Sequence, residues 1–90
     1  MNLEALRSRN DTLRTEFKGG RVLMTEGVRE LPPRLRGQAL YHMSRYQAFD
    51  DDSDHGEGLF IYAGIVFAWH IGEFANQLSL TLGLSDEMLL

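Results

Sequence analysis

Cysteine is absent from this 90-residue chain. Disulfide scaffolds, thiolate zinc sites and cysteine nucleophiles are therefore excluded together, and the absence fits a reducing, cytoplasmic setting. Lys and Arg are absent beyond Arg45. The longest apolar stretch, Leu59 to Ile71, is broken by Gly64 and His70 and falls short of the roughly 20 residues that a membrane-spanning helix needs. The opening Met1-Asn2-Leu3-Glu4 has no basic segment followed by an apolar run, so no signal peptide and no membrane partner are expected. No internal repeat, low-complexity segment or linker divides the chain, and a single domain over 1–90 is expected.

What is present is an ordinary globular balance, 43% apolar and 24% charged, which argues against disorder. The charge is unevenly placed. Residues 1–49 hold nine basic and five acidic side chains, a net +4, and residues 50–90 hold eight acids and no base, a net −8. A fold that kept the two segments apart would be a dipole able to steer toward charged partners, whereas interleaved segments would cancel the field.

The pattern predicts a helix over 2–17, capped by Asn2, with Leu3, Leu6, Leu13 and Phe17 on one face and Asn10 on the same stripe. Arg7, Asp11 and Arg14 are spaced for ion pairs on its outer face, and Gly19-Gly20 reads as its stop. Arg21 to Val28 reads as a strand. Pro32-Pro33 opens a second helix, with Leu35, Ala39, Met43 and Tyr46 turned inward, that runs to about Gln47. The polar run from Asp50 to Gly58 reads as a loop, and Leu59–Tyr62 with Ile65–Ile71 as a hairpin turning at Ala63-Gly64. The last segment fits two periods. Leu78, Leu80, Leu82 and Leu84 alternate as in a strand, while Phe74, Leu78 and Leu82 also share a helix face. Ser85-Asp86-Glu87 can cap a final turn. The order α-β-α-β-β plus a tail predicts an α+β fold: a small three-stranded, mostly antiparallel sheet packed by two to three helices.

Read in order, Asn10-Asp11-Thr12-Leu13-Arg14, Gly19-Gly20-Arg21-Val22-Leu23-Met24-Thr25-Glu26-Gly27-Val28, Leu31-Pro32-Pro33 through Phe49, the acidic Asp52-Ser53-Asp54 with Gly56-Glu57 and Phe60, Trp69-His70-Ile71, and Leu80-Thr81-Leu82 to Asp86-Glu87 resemble an uncharacterised bacterial domain family common on plasmids and other mobile elements. The resemblance covers nearly the whole chain. The sequence departs from the family pattern at Gly58-Leu59, where a His-Asp pair is usual, at Glu73-Phe74, where an aromatic pair is usual, and in a shorter link to the last segment. If the His-Asp loop does chemistry in the family, this chain has lost it. The resemblance implies a bacterial or phage setting and no known activity.

The acidic loop is the sharpest local feature. Asp50, Asp52 and Asp54 alternate as in a calcium loop, but His55 stands where the sixth position needs glycine and Ile61 where the twelfth needs glutamate. Asp52, Asp54, His55 and Glu57 are a weaker option for magnesium or a transition metal, with no second cluster to support them. The plain reading, a solvated loop whose carboxylates cap turns and keep the protein soluble, ranks first. Among functional readings, contact with a macromolecule ranks above a metal site. Closely spaced carboxylates can imitate nucleic-acid phosphates in a basic groove. The partner-binding set expected on that reading is Asp50, Asp51, Asp52, Asp54 and Glu57, extended by Glu73, Asp86 and Glu87, with no cofactor and no metal. His70, in an apolar strand, reads as a hydrogen-bonded structural histidine, and no nucleophile elbow or phosphate loop accompanies the histidines.

The leading expectation is a small non-enzymatic inhibitor of a nucleic-acid-binding bacterial complex, a DNA mimic of the anti-CRISPR kind. A nucleic-acid-binding regulator using Arg7, Arg14, Arg34, Arg36 and Arg45 is the alternative, disfavoured by the acidic balance. A small metal-dependent enzyme comes third. The leucine-rich tail is the candidate surface for a homodimer.

Overall fold

The computed structural model describes residues 1–88; the last two positions of the expected 1–90 domain lie outside them. Helix α1 covers Leu3–Glu16, strand β1 Arg21–Met24, the short helix α2 Glu26–Arg29, helix α3 Pro33–Ser44, strands β2 Glu57–Tyr62, β3 Ile65–Phe74 and β4 Gln77–Leu84, and the last turn, α4, Ser85–Met88. The class is α+β. The sheet has four strands rather than three, in the order β1-β4-β3-β2. It is mixed: β1 runs parallel to β4, and the other pairs are antiparallel.

The fourth strand is the ambiguous leucine segment. Alternation wins over the helical period because it puts Leu78, Leu80 and Leu82 on the core face, where all three are buried. These leucines complete the chain's own core, so the side chains expected to offer a dimer surface are not free to do so. Trp69, Phe67 and Ile71 enter the same core from β3, met by Leu13 from α1, Val28 from α2, and Ala39 and Met43 from α3. All the longer helices therefore share one face of the sheet.

Local differences have local causes. β1 stops at Met24 because Thr25 to Glu30 turn into α2, which delivers Val28 to the core. α1 ends at Phe17, in the left-handed region at φ 57°, whose N–H bonds Leu13 O at 2.9 Å. Gly20 instead serves close approach: a Cβ there would lie 2.5 Å from Leu78 O. Both hairpins close through two-residue turns with both residues at positive φ, Ala63-Gly64 and Ala75-Asn76, the twist-matched hairpin geometry.

The second sheet face carries no long helix. α4 lies across one end of it, where Met88 Sδ and the Thr25 methyl fill the space a Cβ at Gly83 would take. His70 is exposed on this face, on the opposite side of β3 from Trp69, and its ring enters none of the side-chain hydrogen bonds found among the described residues, so it is not the hydrogen-bonded structural histidine expected. No helix among the described residues is long and apolar enough to cross a membrane.

Candidate functional site

The first turns of α1 and the acidic loop enclose an open groove of about 600 Å³. Leu3 and Leu6 line it from α1, together with Tyr46, Ala48 and Phe49 and the acids Asp50, Asp52, Asp54 and Glu57. Asn2 starts the helix by accepting the Ala5 N–H on Oδ1 at 2.7 Å.

One stripe of α1 positions the loop. Arg7 Nε donates to Ser53 O at 2.6 Å, and its Nη2 donates to Asp51 O. One turn on, buried Asn10 donates from Nδ2 to Asp54 O at 3.0 Å. Asp11 follows, its carboxylate 3.0 Å from His55 Nδ1 and 2.9 Å from Arg14 Nη1. The Asp11–Arg14 pair thus faces inward, not out to solvent as its spacing suggests. Arg14 is only 4% exposed, with its guanidinium 5.0 Å from the Phe49 ring centre and 5.5 Å from that of Trp69. A planar cation between aromatic faces retains favourable electrostatics after losing water.

The loop also braces itself. Ser53 N–H bonds Asp50 O, Ser53 Oγ accepts the His55 N–H at 2.9 Å, and Asp54 Oδ1 accepts the Gly56 N–H at 2.9 Å. His55 sits at φ 61°, a left-handed position that histidine enters more readily than most residues. Its ring stacks on Phe49 at 3.9 Å. Gly56 O accepts the Ile71 N–H at 2.7 Å, locking the end of the loop to β3. Ser53 makes no hydrogen bond with the His55 ring, so the loop assembles no Ser–His–Asp relay.

The anchors from α1 end on loop carbonyls or the His55 ring, and within the loop Ser53 Oγ and one oxygen of Asp54 accept backbone N–H groups. The carboxylates of Asp50, Asp51, Asp52, Asp54 and Glu57 enter none of the ion pairs found among the described residues, which join Arg9 to Glu73, Arg14 and His55 to Asp11, and Lys18 to Glu16. Backbone fixed, charges free: the arrangement is a preorganised acidic surface next to two leucines.

The other three expected acids lie elsewhere. Glu73, at the β3–β4 turn, is 3.9 Å from Arg9. Asp86 is exposed on α4. Glu87 ties α4 to the start of α2: Oε1 accepts from Thr25 Oγ1 at 2.5 Å and Leu84 N at 2.9 Å, and Oε2 from Gly27 N at 2.9 Å. Those bonds, the Thr25 hydroxyl foremost, hold its carboxyl below the usual 4.5, with help from the Arg29 charge. No group of three or more His, Asp or Glu side chains among the described residues is placed to hold a metal ion.

Sequence reasoning missed Arg7, Arg14, Leu3 and Leu6 as parts of this site. One signal was available: Asn10 on an apolar stripe implies a polar duty on the buried side. No protein-family model, no curated protein and no solved structure matches the chain.

Proposed function

We propose that the protein is a non-enzymatic interaction domain whose groove receives a basic segment of a partner protein. The observation that carries this is the loop's division of labour: α1 holds its carbonyls while Asp50, Asp51 and Asp52 have no cationic partner among the described residues. An arginine or lysine suits such a cleft, its aliphatic stem along Leu3 and Leu6 and its charged head at the carboxylates. Because the loop is already ordered, little conformational entropy is lost on binding.

The specific role is inhibition of a nucleic-acid-binding bacterial complex, in which the loop occupies a basic groove otherwise filled by phosphates. The family resemblance supports the setting, and the unneutralised charge supports the mode. Direct nucleic-acid binding through helix arginines has less support. Arg7 is committed to the loop, Arg14 is buried against Asp11, Phe49 and Trp69, and Arg36 donates to Arg29 O at 2.7 Å.

The test is capture from a bacterial lysate with wild type and the Asp50→Asn, Asp51→Asn, Asp52→Asn triple variant, followed by elution with duplex DNA. A nucleic-acid-binding complex that wild type retains, the variant loses and DNA displaces is the expected result. Equal capture by both proteins overturns the reading. So does DNA binding by the isolated wild-type protein at low salt.

A further inference from the structure

The two edges of the sheet are unlike. β1 is four residues long, begins with the charged Arg21 and turns at once into α2, all features that discourage pairing with another chain. β2 runs six residues, Glu57–Tyr62, with no Lys, Pro or bulge. Gly56 O bonds Ile71 N, so by alternation Gly58, Phe60 and Tyr62 turn their backbone groups to β3. Glu57, Leu59 and Ile61 point theirs outward, with no further strand beyond them among the described residues. Two of these three expose apolar side chains on the helix-free face, Leu59 by 61% and Ile61 by 73%, and Val66 continues that apolar strip across the β2–β3 register. On the helix side of the edge, Tyr41 is exposed beside His42, whose ring lies 4.3 Å from Tyr62.

We infer that β2 is a self-association edge whose occupant is β2 of a second copy, antiparallel about a twofold axis at Phe60. Unpaired outward N–H and C=O groups are matched in full only by another extended strand. The twofold register also suits the side chains. It sets Leu59 against Ile61 of the partner subunit and Ile61 against its Leu59, and each such pair exchanges both N–H···O bonds. It places Glu57 opposite the partner's Ala63, so the two glutamates never face each other. Centring on Leu59 instead would oppose each Ile61 to a glutamate. The paired edges make one eight-stranded sheet with a continuous apolar strip, closed by symmetry and so limited to two copies. Glu57 also lines the acidic groove, but the inference rests on the β2 backbone with Leu59 and Ile61 and does not depend on the function proposed for that groove.

Sedimentation equilibrium up to several hundred micromolar tests it. Wild type is expected to approach twice the 10.3 kDa chain mass with rising concentration. Ile61→Lys should stay at 10.3 kDa, and Leu23→Lys, on the same face at the opposite edge, should behave as wild type. Circular dichroism and Trp69 fluorescence verify that each variant is folded. The absence of native cysteine allows a register test: Leu59→Cys and Ile61→Cys proteins should form a disulfide when mixed and oxidised, and neither should do so alone. A wild type that stays at 10.3 kDa throughout overturns the inference, as does equal dimerisation of the Ile61→Lys and Leu23→Lys variants. Cross-linking of the single variants as efficient as in the mixture overturns it too.

Discussion

Asp11 and His55, 44 residues apart in the chain, meet at 3.0 Å, and the same carboxylate oxygen, Oδ1, accepts from Arg14 Nη1 at 2.9 Å. One helix residue therefore anchors the loop and neutralises the buried arginine. Asp11→Ala strands the Arg14 guanidinium in the core with no counter-charge. A loss of about 2–3 kcal/mol in urea unfolding is expected. Adding Arg14→Met, which removes the stranded charge and keeps an apolar stem, should recover part of that loss. A double variant less stable than Asp11→Ala would show that the arginine's stacking on Phe49 and Trp69 outweighs its charge.

The distance between sequence and structure is clearest at such residues. Helix α1, the Ala63-Gly64 hairpin and the inward positions Ala39 and Met43 follow from local periodicity, because each needs only near neighbours in the chain. The place of β4 between β1 and β3 does not. Parallel pairing of Arg21–Met24 with Ser79–Leu82 joins segments far apart in the chain, and alternation alone carries no partner information. Arg14 reads as an outer-face residue because its i, i+3 spacing to Asp11 suits a solvent ion pair; the aromatic pair that buries it comes from the loop and β3. The Asp50–Glu57 cluster was visible as charge, yet its presentation by Arg7 and Asn10 was not, since both contacts end on backbone carbonyls that every residue possesses.

Gly58 stands where Trp69 and Tyr46 meet. A Cβ there would lie 2.7 Å from both Trp69 Nε1 and Tyr46 Cζ, and the two rings already cross edge to face at 5.5 Å. Gly58→Ala must push the aromatic pair apart, and a loss of about 1–3 kcal/mol is expected, with a shift in Trp69 fluorescence. Gly37 is the contrast, a helical glycine with open space around its Cβ position. Gly37→Ala should raise stability by about 0.5–1 kcal/mol.

Ala75 holds a left-handed conformation at φ 53° in an exposed turn. Ala75→Gly removes the Cβ that this conformation disfavours. A gain of roughly 0.5–1 kcal/mol is expected from thermal unfolding, provided the turn keeps its type. A loss would mean that the extra freedom of glycine in the unfolded chain outweighs the relief.

Glu87 gives the fold an acid-sensitive clasp. Its folded carboxyl titrates below the usual 4.5 because three donors favour the charged form. A depressed acid contributes stability that is present above its unfolded value and is lost as pH falls through the lower folded value. Wild type should therefore exceed Glu87→Gln in urea midpoint near neutrality, and the two should converge as pH drops below 4.5. A difference that persists unchanged at pH 3 would assign the effect to hydrogen-bond geometry rather than charge.

Arg7 separates loop presentation from loop charge. Its guanidinium donates through Nε to Ser53 O and through Nη2 to Asp51 O, a two-pronged grip that the single ammonium of lysine does not reproduce. Arg7→Lys leaves the net charge and every carboxylate in place. Arg7 is half-buried at the surface, so the global loss should stay near 1 kcal/mol. The loop should respond more strongly. Faster amide exchange at Ser53 is expected, since its turn bond to Asp50 depends on that segment being held, along with quicker proteolysis across residues 50–54. If the acidic groove binds because it is preorganised, affinity for a basic partner should fall in this variant although no acid has changed. If affinity depends on charge alone, Arg7→Lys should bind as wild type while the Asp50→Asn, Asp51→Asn, Asp52→Asn variant does not.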